Sequence, residues 1–366
     1  NQDSWGQADH GTLTWSALGG ESEGNLYGPA YLASFVLSKS EDVSSEHHIE
    51  EDNWAAGAEW ADSIGASVIS ASLGYRYGFD SPDDDYTYED MDGNTTIVTI
   101  AADLAAYNGI AVATAQGNNG SLGPGSLLAP ADGDSVIACG AVDPNGYLAG
   151  FSALGPTFDG RIKPEVCAQG VSTVCADPYD YNGYTTAGGT SLSTPLLGGA
   201  CAVLLSAHPN WTPMMVREAL MMTADRSDDP GNEYGWGIAD VGRALYYHPE
   251  GDMVFDHRPD VMVRAGQSIP ISVAISSDTT ITDAYLHYRI GDSGDFTQIT
   301  MNTSDNVVFY AEIPGQSGGE LQYYFEATDE NGSYAFDPLG GSVHPYSFDL
   351  DESYVEDSFE DGIQLW

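Results

Sequence analysis

With 366 residues, 42% of them apolar, the chain is long enough for two cored domains. Its 55 acidic residues face only 10 lysines and arginines, a formal charge of −45, so neither nucleic acid nor an anionic membrane is expected as a partner. Four cysteines are too few for a disulfide scaffold, and no run of about 18 consecutive apolar residues marks a membrane span.

No signal peptide is present, and Asn1 stands in mid-motif, so the chain reads as lacking upstream sequence. Asp9-His10-Gly11-Thr12-Leu13-Thr14-Trp15-Ser16 predicts a helix that Gly19-Gly20 ends, with Asp9 as its cap. A single histidine there is more often structural than catalytic. ASFVLSK (33–39) is apolar and β-rich and predicts a buried strand. Glu46, His47, His48, Glu50 and Glu51 read as an exposed loop, with a metal set as the rarer alternative. NWAAGAEWADSIG (53–65) predicts a helix and ASVISAS (66–72) a buried strand. The acid-rich stretch Asp80–Asp92 reads as a solvated loop, with Asn94 or Thr95 capping the next helix and calcium binding as the alternative. Asp90-Met91-Asp92-Gly93-Asn94 starts like an EF-hand loop, but Ala101 stands where the closing glutamate belongs.

TTIVTIAADLAAYNG (95–109) predicts a helix, and IAVATAQ (110–116), SVIACGAV (135–142) and EVCAQG (165–170) predict buried strands. Cys139 and Cys201 read as small buried hydrophobes, while Cys167 and Cys175 are close enough in sequence to pair. Further helices are predicted over 196–208 and 213–224. Strand–helix alternation of this kind implies an α/β fold: a doubly wound, mostly parallel sheet flanked by helices. The pattern changes near residue 250. DVMVRAG, IPISVAIS, DAYLHYRIG, VVFYAEIP and ELQYYFEATD alternate as short strands, predicting an all-β sandwich. The expected domains are 1–249 and 250–349, with 350–366 a linker or the start of another domain.

Three segments carry chemistry. Gly188-Gly189-Thr190-Ser191 precedes a helix, with Pro195 expected in its first turn, so Ser191 stands where helix N–H groups favour developing negative charge. His10 could be catalytic, as the rarer of its two readings. Asn118, in Ala115-Gln116-Gly117-Asn118-Asn119-Gly120 directly after a strand, could donate to an oxyanion. Taken singly, each has a structural reading: a cap, a core histidine, a turn asparagine.

Together the segments resemble the subtilisin-like serine proteases, over about residues 1–247. In that family the histidine lies in H-G-T, the oxyanion asparagine in a G-N-x-G loop, and the serine in G-T-S-x-x-x-P; here those are His10, Asn118 and Ser191, in the family's order. The resemblance implies a secreted serine endopeptidase working by a Ser-His-Asp acyl-enzyme mechanism on protein or peptide substrates, as a monomer. It implies no cofactor for catalysis and is compatible with structural calcium. It implies further that Ser72-Leu73-Gly74 pairs with substrate, with Ala115-Gln116-Gly117 as the opposite pocket wall and apolar residues preferred before the cleaved bond. The family's D-T-G or D-S-G turn is missing; Asp3 and Asp9 lie too close to His10, so the fragment alone is expected to be inactive. Leu192 replaces the methionine common beside the nucleophile. The trailing strands resemble fibronectin type III or immunoglobulin-like modules, with spacer, binding and folding roles all open. The rival reading is an inactive binding or scaffold protein on the same fold. The acidic surface suits a salty medium, marine or halophilic.

Overall fold

The computed structural model describes residues 9–247 except Val43, and 253–350 except 258–265, Asp278, Ser333, 339–340 and His344. The chain divides into two compact units, Asn1–Glu250 and Gly251–Trp366.

The first unit runs α1 (Asp9–Gly19), a small hairpin of β1 (Glu21–Ser22) and β2 (Leu26–Tyr27), α2 (Ile49–Ser63), β3 (Val68–Ala71), α3 (Ile97–Tyr107), β4 (Ala111–Ala115), β5 (Ile137–Val142) and β6 (Val166–Gln169). It continues with the hairpin β7 (Thr173–Ala176) and β8 (Tyr184–Ala187), then α4 (Thr190–Ala207), α5 (Pro213–Thr223) and α6 (Val241–Ala244). Strands β3-β4-β5-β6 form one parallel sheet in that order, with Ile69 opposite Val112, Ala115 opposite Cys139 and Gly140 opposite Cys167. Every residue of β4 and β5 is buried, as expected of strands covered on both faces. Alternate residues of β3 show the two covers. Ile69 and Ala71 pack with Trp54 and Ala58 of α2 and Val98 and Ala102 of α3. Ser70 faces the other way, against Gly198 of α4, where an added Cβ would lie 2.8 Å from the serine Cβ. Only glycine lets α4 approach that closely. The 18-residue α4 is apolar enough to cross a membrane, with a mean hydropathy of 1.4, but here it is the central core helix, 61% buried.

Several expectations need correction. Residues 33–39 form no strand, and Val36 and Leu37 are exposed. Phe35 packs edge-on to Trp15 at 5.9 Å and covers Gly19. β-rich composition favours a pleated, half-buried surface, but among the described residues no neighbouring strand supplies the ladder. The cap of α3 is neither Asn94 nor Thr95. Thr96 fills it, accepting from Thr99 N, while Asp92 Oδ1 holds the turn before it through Asn94 N and Thr95 N. All four cysteines are buried and unpaired, so no Cys167–Cys175 bridge forms.

Lys163 and Glu165 close the far side of the sheet. Glu165 accepts from Lys163 Nζ at 2.9 Å, Arg217 Nη2 at 2.8 Å and Ala138 N at 2.7 Å, which satisfies a carboxylate with no exposure at all.

The second unit is strand-rich. One antiparallel sheet has the order β13 (Asn302–Thr303), β14 (Val308–Ile313), β10 (Ile269–Ser276), β9 (Val254–Asp256). The other has β12 (Thr297–Thr300), β11 (Ile281–Ile290), β15 (Gly319–Asp329), β16 (Tyr334–Asp337), with β17 (Tyr346–Leu350) also on β15. Period-two alternation sends Phe309, Ala311 and Ile313 inward from β14, and they join Val273, Leu286, Tyr323 and Phe325 in one core. Most of DVMVRAG, and the acidic stretch from residue 351, lie outside the described residues.

Candidate active site

Helix α4 begins where the chain turns at Gly189, whose φ of +137° is open to glycine and strained for other residues. Ser191 is the second residue of that helix. Pro195 sits in the second turn, not the first as expected, so Ser191 O lacks its usual intrahelical donor. The Ser72 hydroxyl fills the gap, donating to Ser191 O at 2.9 Å. The proline thus creates an acceptor that ties α4 to the segment after β3. Ser191 Oγ in turn lies 3.4 Å from Ser72 O.

Asn118 follows β4 and is oriented by the start of α4. Its Oδ1 accepts from Thr190 N at 2.9 Å and from Thr190 Oγ1 at 3.1 Å. With the amide oxygen so held, Nδ2 is left to donate elsewhere. The point where a Cβ would stand on Gly189 is 3.7 Å from Asn118 Nδ2 and 3.7 Å from Ser191 N. Neither of those two donors is engaged by a described residue, and both lie 3.7 Å from that one point beside Gly189.

His10 is the second residue of α1 and is exposed. Leu13, one turn on, packs with Ala17, Cys175 and Leu192 in a single apolar cluster. Because Leu192 directly follows Ser191, that cluster brings the first turns of α1 and α4 together. The Ser16 hydroxyl, accepting from Ala176 N at 2.9 Å, fixes α1 to the β7–β8 hairpin as well. His10 and Ser191 are not hydrogen-bonded to each other. Desolvation pulls the His10 pKa below the ordinary imidazole value, while the Asp9 charge works weakly the other way. The Asp9 carboxylate accepts from the Tyr179 hydroxyl at 3.0 Å and does not reach the ring. Asp9 stays well ionised, held down first by the His10 backbone N–H and then by Tyr179. Among the described residues no carboxylate holds His10; Asp3 lies outside them.

Ser72, Leu73 and Gly74 run half-buried past the site, and the backbone groups of Leu73 and Gly74 have no partner among the described residues. Tyr75 then closes an antiparallel bridge to Ala129. On the opposite side, Ala115 and Gln116 are buried and Gly117 N donates to Thr190 Oγ1 at 3.2 Å. The Gln116 side chain is fully buried, with neither amide atom partnered among the described residues. Leu128 was missed from sequence. An added Cβ would meet its side chain at 3.0 Å from Gly74 and 2.8 Å from Gly117, so it stands between both walls as an apolar floor. No local motif marks it; only the packing of two glycines does.

Residues 1–237 match the model of the subtilase family, Peptidase_S8. The chain belongs to the subtilase family. Subtilisin DY of Bacillus licheniformis is 37% identical over 190 residues, which cover 52% of this chain and 60% of that protein. Bacillopeptidase F of Bacillus subtilis (strain 168) is 28% identical over 362 residues, covering 88% of this chain and 24% of the relative, so that likeness runs past the first unit. The chain therefore spans less than two thirds of the length of either protein. Among solved structures, the self-cleaved protease domain of PatA superposes with a TM-score of 0.52 at 26% identity, covering 64% of this chain and 82% of that one. MycP1 without its N-terminal propeptide gives 0.54 at 22% identity, covering 67% and 81%, a likeness of fold.

Proposed function

We propose that this chain belongs to a secreted subtilisin-like serine endopeptidase. The observation that carries the reading is the clamped amide: Thr190 holds Asn118 Oδ1, leaving Nδ2 beside the Ser191 N–H next to the serine hydroxyl. Such a donor pair suits the oxyanion of a tetrahedral intermediate. Ser191 attacks the scissile carbonyl, His10 takes its proton, and the acyl-enzyme forms as His10 passes that proton to the leaving amine. Water then attacks the ester by the same route, with His10 as base. The carboxylate that orients His10 comes from outside the described residues. Substrate lies extended and pairs with the free backbone of Leu73 and Gly74. The Leu128 floor favours an apolar residue before the cleaved bond.

A fluorophosphonate probe tests this on the full-length protein. Labelling should fall on Ser191 and vanish in Ser191→Ala. Labelling that survives the substitution would overturn the assignment.

A further inference from the structure

The loop between the exposed segment 33–39 and α2 carries Glu41 and Glu46, and the first turn of α2 adds Glu50; no lysine or arginine among the described residues pairs with any of the three. Glu41, Glu46 and Glu50 each place a carboxylate oxygen within 4.8 Å of the others. None of the three forms an ion pair among the described residues. Acidic side chains often cluster harmlessly at a surface, but Glu50 is only 2% exposed. Its Oε1 accepts from Asp42 N at 2.7 Å, while its Oε2 is buried with no hydrogen-bond partner. A buried, half-satisfied carboxylate facing two more carboxylates is costly as it stands, because desolvation and like-charge repulsion add.

We propose that Glu41, Glu46 and Glu50 bind one calcium ion. Calcium–oxygen distances of about 2.3–2.6 Å put opposite ligands about 4.6–5.2 Å apart, so three oxygens within 4.8 Å fit one coordination sphere, with water at the remaining positions. The donors are all oxygen. Both neighbouring imidazoles are turned elsewhere: His47 Nδ1 meets Asp83 at 3.0 Å, and His48 meets Glu51 at 2.8 Å and Asp84 O at 3.1 Å. That leaves a hard-cation set rather than a zinc set, and it separates the metal group suggested by the sequence, since Glu51 belongs to His48 and not to the trio.

The loop is built to hold its ligands. Asn53 Nδ2 donates to Ser40 O at 3.1 Å, Asp80 N to Glu46 O at 2.8 Å, and Glu46 N to Asp80 Oδ2 at 3.1 Å. The Glu46 carboxylate itself accepts nothing from the described residues, so it is open to an ion. Glu41 Oε1 accepts from the Tyr75 hydroxyl at 2.6 Å, and Tyr75 directly follows Ser72-Leu73-Gly74. A bound ion would therefore brace the strip assigned to substrate. That last consequence rests on the protease reading; the site itself does not.

The test is calorimetric titration of calcium chloride into the full chain after chelator treatment and desalting, with magnesium chloride in parallel. One saturable site is expected, with affinity for calcium above that for magnesium. Glu46→Gln and Glu50→Gln should each weaken it by about tenfold or more, while Glu59→Gln, an exposed acid of α2, should not. Should Glu50→Gln fail to fold, Glu46→Gln carries the test, because its side chain is only half-buried and removes no protein contact. Unchanged calcium affinity in Glu46→Gln, a response shared equally by Glu59→Gln, or equal affinity for magnesium would each overturn the proposal. Loss of calcium binding with Ser191 labelling intact, or the reverse, tells failure of the site from failure of the protease reading.

Discussion

Asn118 is oriented by Thr190. An asparagine amide can face either way, and the side that reaches the site is fixed by what the other side bonds. Here Thr190 offers two donors, its N–H and its hydroxyl, and only the amide oxygen can accept both. Asn118→Ala should therefore lower kcat about 10²–10³-fold with little change in KM, since the donor acts on an oxyanion that exists only beyond the ground state. Steady-state kinetics on a peptide substrate checks this, and an equal loss in KM would mean that Asn118 binds substrate instead. The asparagine was legible in sequence because it follows a strand in a glycine loop. The clamp that aims it was not, since Thr190 is 72 residues away.

At the scale of elements, the junction of α4 with the segment after β3 decides the site's shape. Pro195 removes a helix donor, Ser72 replaces it, and Ser191 is thereby held against the segment Ser72-Leu73-Gly74. Ser72→Ala leaves Ser191 O unsatisfied in a half-buried setting, a loss of about 1 kcal/mol or somewhat more. A lower melting temperature is expected, and activity should fall further than stability alone explains. Wild-type melting and turnover in the variant would remove this role from Ser72. Four of the five strands predicted in the first unit form, because continuous apolar runs between helices have few other places to go. The fifth, 33–39, has the same composition but no neighbour to pair with, and composition cannot report a neighbour. The glutamate trio was hidden for a related reason. Glu41, Glu46 and Glu50 follow no metal-ligand spacing, whereas the adjacent His47-His48 pair drew attention and is spoken for by Asp83 and Glu51.

For the molecule as a whole, the charge of −45 is the term that no local contact offsets. Ten basic residues cannot pair 55 acids, and several are spent inside the fold: Lys163 and Arg217 both serve Glu165, and Arg161 serves Asp159. The remaining carboxylates repel one another in the folded state more than in an expanded chain. Added salt shortens that repulsion, from a reach of about 10 Å at 0.1 M to about 3 Å at 1 M. Melting temperature should therefore climb steadily with NaCl into the molar range, by about 2–4 °C for each kcal/mol of repulsion removed from a unit of this size. Calcium would raise it too, but through one saturable site and not through screening. The two contributions separate in Glu46→Gln, which should lose the calcium increment and keep the NaCl slope. A flat NaCl response in the wild type, with stability that collapses on chelation, would show that bound calcium rather than screening holds the acidic chain together, and the salty-medium reading of its composition would fall.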